Sequence, residues 1–379
     1  MQIKTKTTWQ GVKFKDFVKL QRGFDLPQQN RVSGEYPVIA STSIVDHHTA
    51  YKVEAPCVTT GRSGALGEVL YVNQKCWPLN TALWVKDFKG NNPYFVYCVL
   101  KILHLEQYNS GAGVPTLNRN HLDELVIEIP PSPTQKQIAD VLSAYDDLIE
   151  NNTKRIKILE QIAQAIYREW FVYFRFPDHG KVKMIDSKTE FGKIPEGWKI
   201  GKLSDLAKIT MGQSPSSDFY NEIGEGSPFH QGVTNFEFRF PTTTTFSTEG
   251  ARKADEEDIL FSVRAPVGRI NVADRNIIIG RGLAAVKSIS GNQSYLLYDF
   301  KHIFQTEDLI GGGAIFASVT KDDLNNFPVV IPDTKVIEQF ESNVQPIDQL
   351  ILNISHELSV LRNSRDLLLP KLVSGEIQV

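Results

Sequence analysis

The feature that most constrains this chain is that it repeats itself. The segment TWQGVKFKDFVKLQRG begins at Thr8, and GWKIGKLSDLAKITMG has the same pattern, with Trp9 and Trp198 separated by 189 residues. Gly23 and Gly212 keep that offset. Gly67 and Gly268 follow at 201, and Leu122/Leu324 and Pro130/Pro332 at 202. The offset grows only between blocks, as insertions in surface loops would make it do. A period of this size holds a domain plus a long helix, and two units are too few for a solenoid.

At 379 residues the chain is too long for one ordinary core, so two domains with connectors are expected. Within each copy the pattern is mixed. GEVLYV (67–72), TALWV (81–85) and LVIEI (125–129) read as strands, and LSDLAKI (203–209) as a short helix or strand before a glycine turn. NPYFVYCVLKIL (92–103) reads as a helix with Pro93 in its first turn. The expected fold class is α+β, with two duplicated domains separated by two long antiparallel helices.

After Pro133 the apolar spacing changes. Ile138, Leu142, Tyr145, Ile149, Asn152, Ile156, Leu159, Ala163, Ile166 and Trp170 alternate steps of 4 and 3, a heptad seam. Val344, Ile347, Ile351, Ile354, Leu358, Leu361, Arg365 and Leu368 repeat it 202 residues later. Burying both stripes against each other as a coiled coil is the simplest arrangement; the alternative packs each helix on its own domain. The polar positions Asn152 and Arg365 either fix register or mark solvated ends. A helix over residues 138–169 would span about 48 Å, or about 14 base pairs of duplex. Such a spacer could act as a ruler between two DNA half-sites.

Three segments carry a resemblance: FGKIPEGWKIGKLSDLAKITMGQSPSS (191–217), GRSGALGEVLYVNQKCWPLNTALWVKDFKGN (61–91) and RDLLLPKLVSGEI (365–377). With the duplicated helices, they resemble the specificity (S) subunits of type I restriction–modification systems over essentially the whole chain. The resemblance implies two target-recognition domains, each reading half of a split, asymmetric sequence in double-stranded DNA. It implies helices that set the spacer and dock two methyltransferase (M) subunits, joined by motor–nuclease (R) subunits. S-adenosylmethionine, ATP and Mg are then expected in those partners, with no cofactor, metal or catalytic residue in this chain. The expected divisions are 1–131 and 198–332 for the recognition domains, 132–174 and 333–379 for the helices and tail, and 175–197 for the linker.

A search for chemistry points the same way. Asn91-Asn92-Pro93-Tyr94 lacks the second proline of an adenine-methyltransferase motif and reads as a helix start. Pro332-Asp333-Thr334-Lys335 has the letters of a nuclease cluster but sits where a helix begins, so capping explains it. No GxxxxGK[ST] loop occurs. His47-His48 point apart on a strand, which favours a surface or DNA-facing role over metal binding, and plain solvation over both. Cys57, Cys76 and Cys98 form no CxxC pair, so neither a disulfide framework nor a zinc site is expected. The amino terminus lacks the apolar core of a signal peptide and no apolar run is long enough for a membrane span, so a cytoplasmic location is expected. A net charge of −3 excludes a DNA grip by bulk positive charge and calls for local basic patches or partner subunits.

Base reading needs Arg, Lys, Asn, Gln, Ser or Thr at base edges. Three loop clusters supply them. The first holds Gln21, Arg22 and Gly23, paralleled by Met211, Gly212, Gln213 and Ser214. The second holds Thr60, Arg62 and Ser63, with Arg62 matched to Arg264. The third holds Asn118 and Arg119, paralleled by Lys321. Small residues around Arg62 and Arg264 would let backbone approach a phosphate; a tight turn whose arginine satisfies carbonyls is the equal alternative. Thr116 and Ser318 read as helix N-caps. The tract Pro241–Thr245 occurs in the second copy only and reads as a loop or edge strand, or as a difference in recognition. A chain that kept this fold as an M-binding scaffold or inhibitor, without reading DNA, is the alternative function.

Overall fold

The computed structural model describes residues 9–111, 113–304 and 318–379. The second copy's GGGAIFA segment (311–317) lies outside them. The chain divides into two compact units. One contains the residues up to Asn151 together with Leu358–Val379, and the other is Asn152–Glu357.

Each unit is built on the same strand plan. In the first, a four-stranded sheet runs in the order Lys19–Arg22, Ala82–Asp87, Cys57–Gly61, Val69–Val72. In the second, the order is Ala207–Met211, Leu283–Ser288, Ile259–Ser262, Ile270–Val272. Beside it, each unit has a sheet containing one parallel pair, Tyr36–Ile39 with Trp77–Pro78 and Ser227–His230 with Ile277–Ile279. A two-stranded ribbon joins the ends of each copy, Gln10–Lys13 with Val126–Ile129 and Lys199–Lys202 with Pro328–Ile331. The α+β duplication is therefore a property of the fold.

The repeated glycines have physical reasons. A Cβ on Gly23 would lie 2.2 Å from the Leu79 carbonyl oxygen, and one on Gly212 2.2 Å from that of Gly280. Gly67 and Gly268 both take positive φ, +94° and +90°, a region costly for residues with a Cβ. Segment 203–209, read as helix or strand, is both: a turn of helix at Leu203–Leu206, then the strand from Ala207. Helix Pro93–Ile102 starts as expected, with the Asn92 side chain accepting from Tyr94 and Phe95 N–H.

The first long helix runs Ser132–Tyr167 and continues into a π-helical turn at Arg168–Val172. The second runs Thr334–Val373, with the Asp333 carboxylate accepting from Lys335 N–H at its start. Within each unit the two helices run antiparallel. In the first, Arg365 pairs with Asp146 at 2.7 Å, and Ile138 and Leu142 share the domain core with Leu369, Leu372 and Val373. In the second, Tyr167 lies against Phe340, with ring centroids 6.1 Å apart, and Ala163 shares the core with Val344. Each domain is thus closed by the start of the helix that leaves it and the end of the other copy's helix. The seam residues follow this plan: Leu142, Ile156, Val344, Ile351 and Leu358 are buried, and Tyr145, Ile149, Leu159, Ile347 and Leu361 half-buried. Both readings of the stripe hold in part, because its outer portions pack into domain cores. Neither polar break is a solvated end: Asn152 is buried and accepts from Arg155 at 3.1 Å, and Arg365 is ion-paired.

The second unit also buries a charge cluster. Arg239, on an irregular loop, lies 2.6 Å from Glu160 on the first long helix and 2.5 Å from Asp348 on the second. Lys301 pairs with the same Glu160, and Tyr298 donates to Asp348 at 2.8 Å. Burial opposes the Glu160 charge, but Arg239 and Lys301 hold its carboxyl below the ordinary value.

Candidate nucleic-acid interface

Three segments are laced together in each domain by the same backbone bonds. In the first, Gly23 N–H donates to Ala82 (3.0 Å), Arg62 N–H to Thr81 (2.8 Å) and Leu117 N–H to Arg62 (2.8 Å). In the second, Gly212 N–H donates to Leu283, Val263 N–H to Gly282 and Val319 N–H to Val263, each at 2.9 Å. Short bridges add Ser63 to Thr116 and Arg264 to Ser318. The three loop clusters, far apart in sequence, therefore converge at one end of each four-stranded sheet.

This lacing corrects the sequence alignment by one residue. Arg62 occupies the place of Val263, and Arg264 that of Ser63, so the two arginines are not counterparts. Arg62 donates to the Asn80 carbonyl at 3.0 Å, the role of an arginine satisfying a turn. Arg264 is exposed. The expected caps also move. Thr116 and Ser318 are held in the bridges, and the caps are Asn118, accepting from Asn120 N–H, and Thr320, accepting from Asp323 N–H.

The first domain brings most of its candidates to one surface. Arg22, Arg62, Asn118 and Arg119 line a cavity of about 360 Å³. Arg119 is anchored by donating to the Leu20 carbonyl at 2.9 Å. Ser63 is half-buried, and its carbonyl accepts from Ser41. Thr60 is a correction: it is 1% exposed in the strand Cys57–Gly61 and has no hydroxyl partner. It belongs to the sheet interior and presents nothing to a ligand. In the second domain Gln213 and Lys321 are exposed. Ser214 is half-buried, donates to Gln231 at 2.7 Å and accepts from Arg281 N–H at 3.2 Å. His48, read as solvated, is buried against Trp77 and bonded to the Val32 backbone. Pro241–Thr245 is irregular, with Thr244 accepting from Asn235.

Sequence reasoning missed a neighbouring open groove of about 830 Å³ lined by Lys19, Gln21, Arg22, Lys52, Lys86 and Arg119, with Asp25 as its acid. Gln21, Arg22 and Arg119 belong to the sequence-predicted clusters; the three lysines do not. Lys52 lies over Trp77, 4.9 Å from the ring centroid.

A model of the type I restriction modification DNA specificity domain matches residues 6–161 and 195–358. The chain belongs to this family. It is 33% identical over 298 residues to a putative type I restriction enzyme MjaX specificity subunit of Methanocaldococcus jannaschii, covering 76% of this chain and 68% of that protein. It is 26% identical over 356 residues to the HindI specificity subunit of Haemophilus influenzae, covering 75% and 77%. The crystal structure of a type I system S subunit from M. genitalium matches in fold, with TM-score 0.68, 16% identity and 98% of both chains covered. The chain is thus a type I restriction–modification specificity protein with two copies of the DNA specificity domain. Among the described residues no helix is long and apolar enough to cross a membrane.

Proposed function

We propose that this chain is the non-catalytic specificity subunit of a type I complex, each domain reading one half of a bipartite, asymmetric sequence in double-stranded DNA. The observation that carries this reading is duplication with divergence at one place. Both domains lace the same three loops with the same backbone bonds, yet the loops carry different side chains. The first domain presents Arg22 and Asn118, and the second Gln213 and Arg264. Identical scaffolds with different donors and acceptors are what reading two different half-sites requires.

The long helices set the distance between half-sites and dock two methyltransferase subunits. Those partners bind S-adenosylmethionine and methylate adenine, and motor–nuclease partners supply ATP- and Mg-dependent cleavage. The slight negative charge of this chain fits a division in which partners supply much of the phosphate contact. The test is to express the chain with its cognate methyltransferase subunit and map methylated adenines on a genome. A split motif with a fixed unread gap is expected. Complex formation without any sequence preference would overturn the proposal.

A further inference from the structure

We infer that each domain carries the same phosphate seat, built from four basic positions repeated between the copies, and that base reading is confined to the positions beside it that differ. This deepens the DNA-reading proposal and rests on it. In the first domain the seat is Lys19, Lys52, Lys86 and Arg119, which line one open groove. The strand registers identify their counterparts. Leu20 faces Val85 as Ile209 faces Val286, which aligns Lys19 with Lys208 and Lys86 with Lys287. Val53 bridges Cys76 as Ala254 pairs Ile277, which aligns Lys52 with Lys253. The caps Asn118 and Thr320 align Arg119 with Lys321. All eight residues are exposed, where packing does not dictate side-chain type.

Repetition alone has a structural explanation at some sites, and those sites show it. Lys13 and Lys202 are also repeated, but each is bound by an equivalent partner, Glu124 and Asn326. Among the described residues none of Lys19, Lys52 and Lys86 has a carboxylate within ion-pair distance, although Lys19 stands opposite Asp87 across the strand pair and adds to the Lys89 hydrogen bonds that hold its carboxyl below the ordinary value. In the second domain Lys208 stands directly opposite Lys287 across the strand pair. Like charges so placed repel and are destabilising in a bare sheet. Asp255, 2.6 Å from Lys287, and the buried Asp258, which acts on both lysines, offset part of that repulsion. A polyanion offsets the rest, and duplex DNA carries a phosphate charge about every 1.7 Å along its axis. The neighbouring floor positions are not repeated. Gln21 stands where the second domain has Thr210, Arg22 where it has Met211, and Asp25 where it has Ser214.

The test uses the full chain in complex with its cognate methyltransferase subunits. Binding to two duplexes, one bearing the mapped motif and one with the motif scrambled, is titrated across salt concentration. Three phosphate contacts contribute about 2.7 to the slope of log affinity against log salt. K19Q/K52Q/K86Q and, separately, K208Q/K253Q/K287Q should each lower the slope by that amount on both duplexes, leaving the mapped motif unchanged. Between 50 and 200 mM salt each variant then loses about 40-fold less affinity than the parent. K19R/K52R/K86R should restore the slope, and K183Q/K188Q/K193Q, with the same charge change elsewhere, should leave it intact. Q21T should shift the motif without changing the slope. An unchanged slope in either lysine triple, with the parent complex binding DNA normally, overturns the shared seat while leaving DNA reading standing. A parent complex that binds neither duplex overturns both.

Discussion

Replacing Arg239 with methionine should cost the second unit about 3–5 kcal/mol, the range for breaking a buried ion pair from one side. Arg239 is 5% exposed, and its guanidinium contacts Glu160, Asp348 and, at 3.3 Å, the Tyr298 hydroxyl. Burial works against its charge, but Asp348, Tyr298 and Glu160 hold the proton on it. Without the guanidinium, Glu160 retains Lys301, but Asp348 keeps only the Tyr298 hydroxyl, and its Oδ2 already lacks a partner. The cost is therefore an uncompensated buried carboxylate, more than lost attraction. Methionine fills much of the volume, which keeps the cavity contribution small. For a unit of this size each kcal/mol shifts Tm by about 2–4 °C, so a drop of roughly 6–20 °C is expected. Calorimetry measures it, with hydrogen exchange assigning the transition to residues 152–357. Adding Asp348→Asn to Arg239→Met should recover part of the loss, because it removes the stranded charge. A single variant within 1 kcal/mol of the parent, or a double variant less stable than the single, would refute this account of the cluster.

Three further outcomes follow from the same structure. Burial pushes the Asp299 carboxyl up to about 7 despite the hydrogen bond from Tyr167, so the folded state holds a proton that the unfolded state releases near pH 4. Stability should therefore fall as pH rises from about 4 to 7, and relative to Asp299→Asn the parent should lose on the order of 1–4 kcal/mol between pH 4 and pH 8 in denaturant titrations. Leu372→Ala should cost the first unit about 2–4 kcal/mol, because this C-terminal residue is buried in that unit's core; hydrogen exchange should show the second unit unchanged. Inserting one heptad into both long helices should widen the unread gap in the methylated motif by about three base pairs, from a rise of about 10.5 Å, and an unchanged gap would remove the ruler role.

Much of this architecture was legible because duplication leaves a record that periodicity and glycine chemistry preserve. Gly23/Gly212 and Gly67/Gly268 recur where a side chain would collide or strain the backbone, so their spacing located equivalent turns. Helix starts at Asn92 and Asp333 were readable from local capping chemistry. Other features depend on tertiary neighbours. Thr60 looks like a loop hydroxyl until the central position of its strand buries it. The match of Arg62 to Arg264 fails by one residue because letters were aligned across a loop whose hydrogen bonds define a different register. Arg239 sits 79 residues from Glu160 and 109 from Asp348, and no local pattern joins them. The groove lysines were hidden for the opposite reason: each is an ordinary surface residue, and only folding collects them.

One exchange tests the division into two separately reading domains most directly. Loop residues of the second domain, from Gln213 through the Pro241–Thr245 tract to Lys321, are replaced by those of a family member with a different target, and methylated adenines are mapped with the cognate methyltransferase subunit. Two separately readable domains predict that one half of the motif changes while the other half and the gap stay fixed. A change in both halves, or a motif that never divides into two, would contradict it.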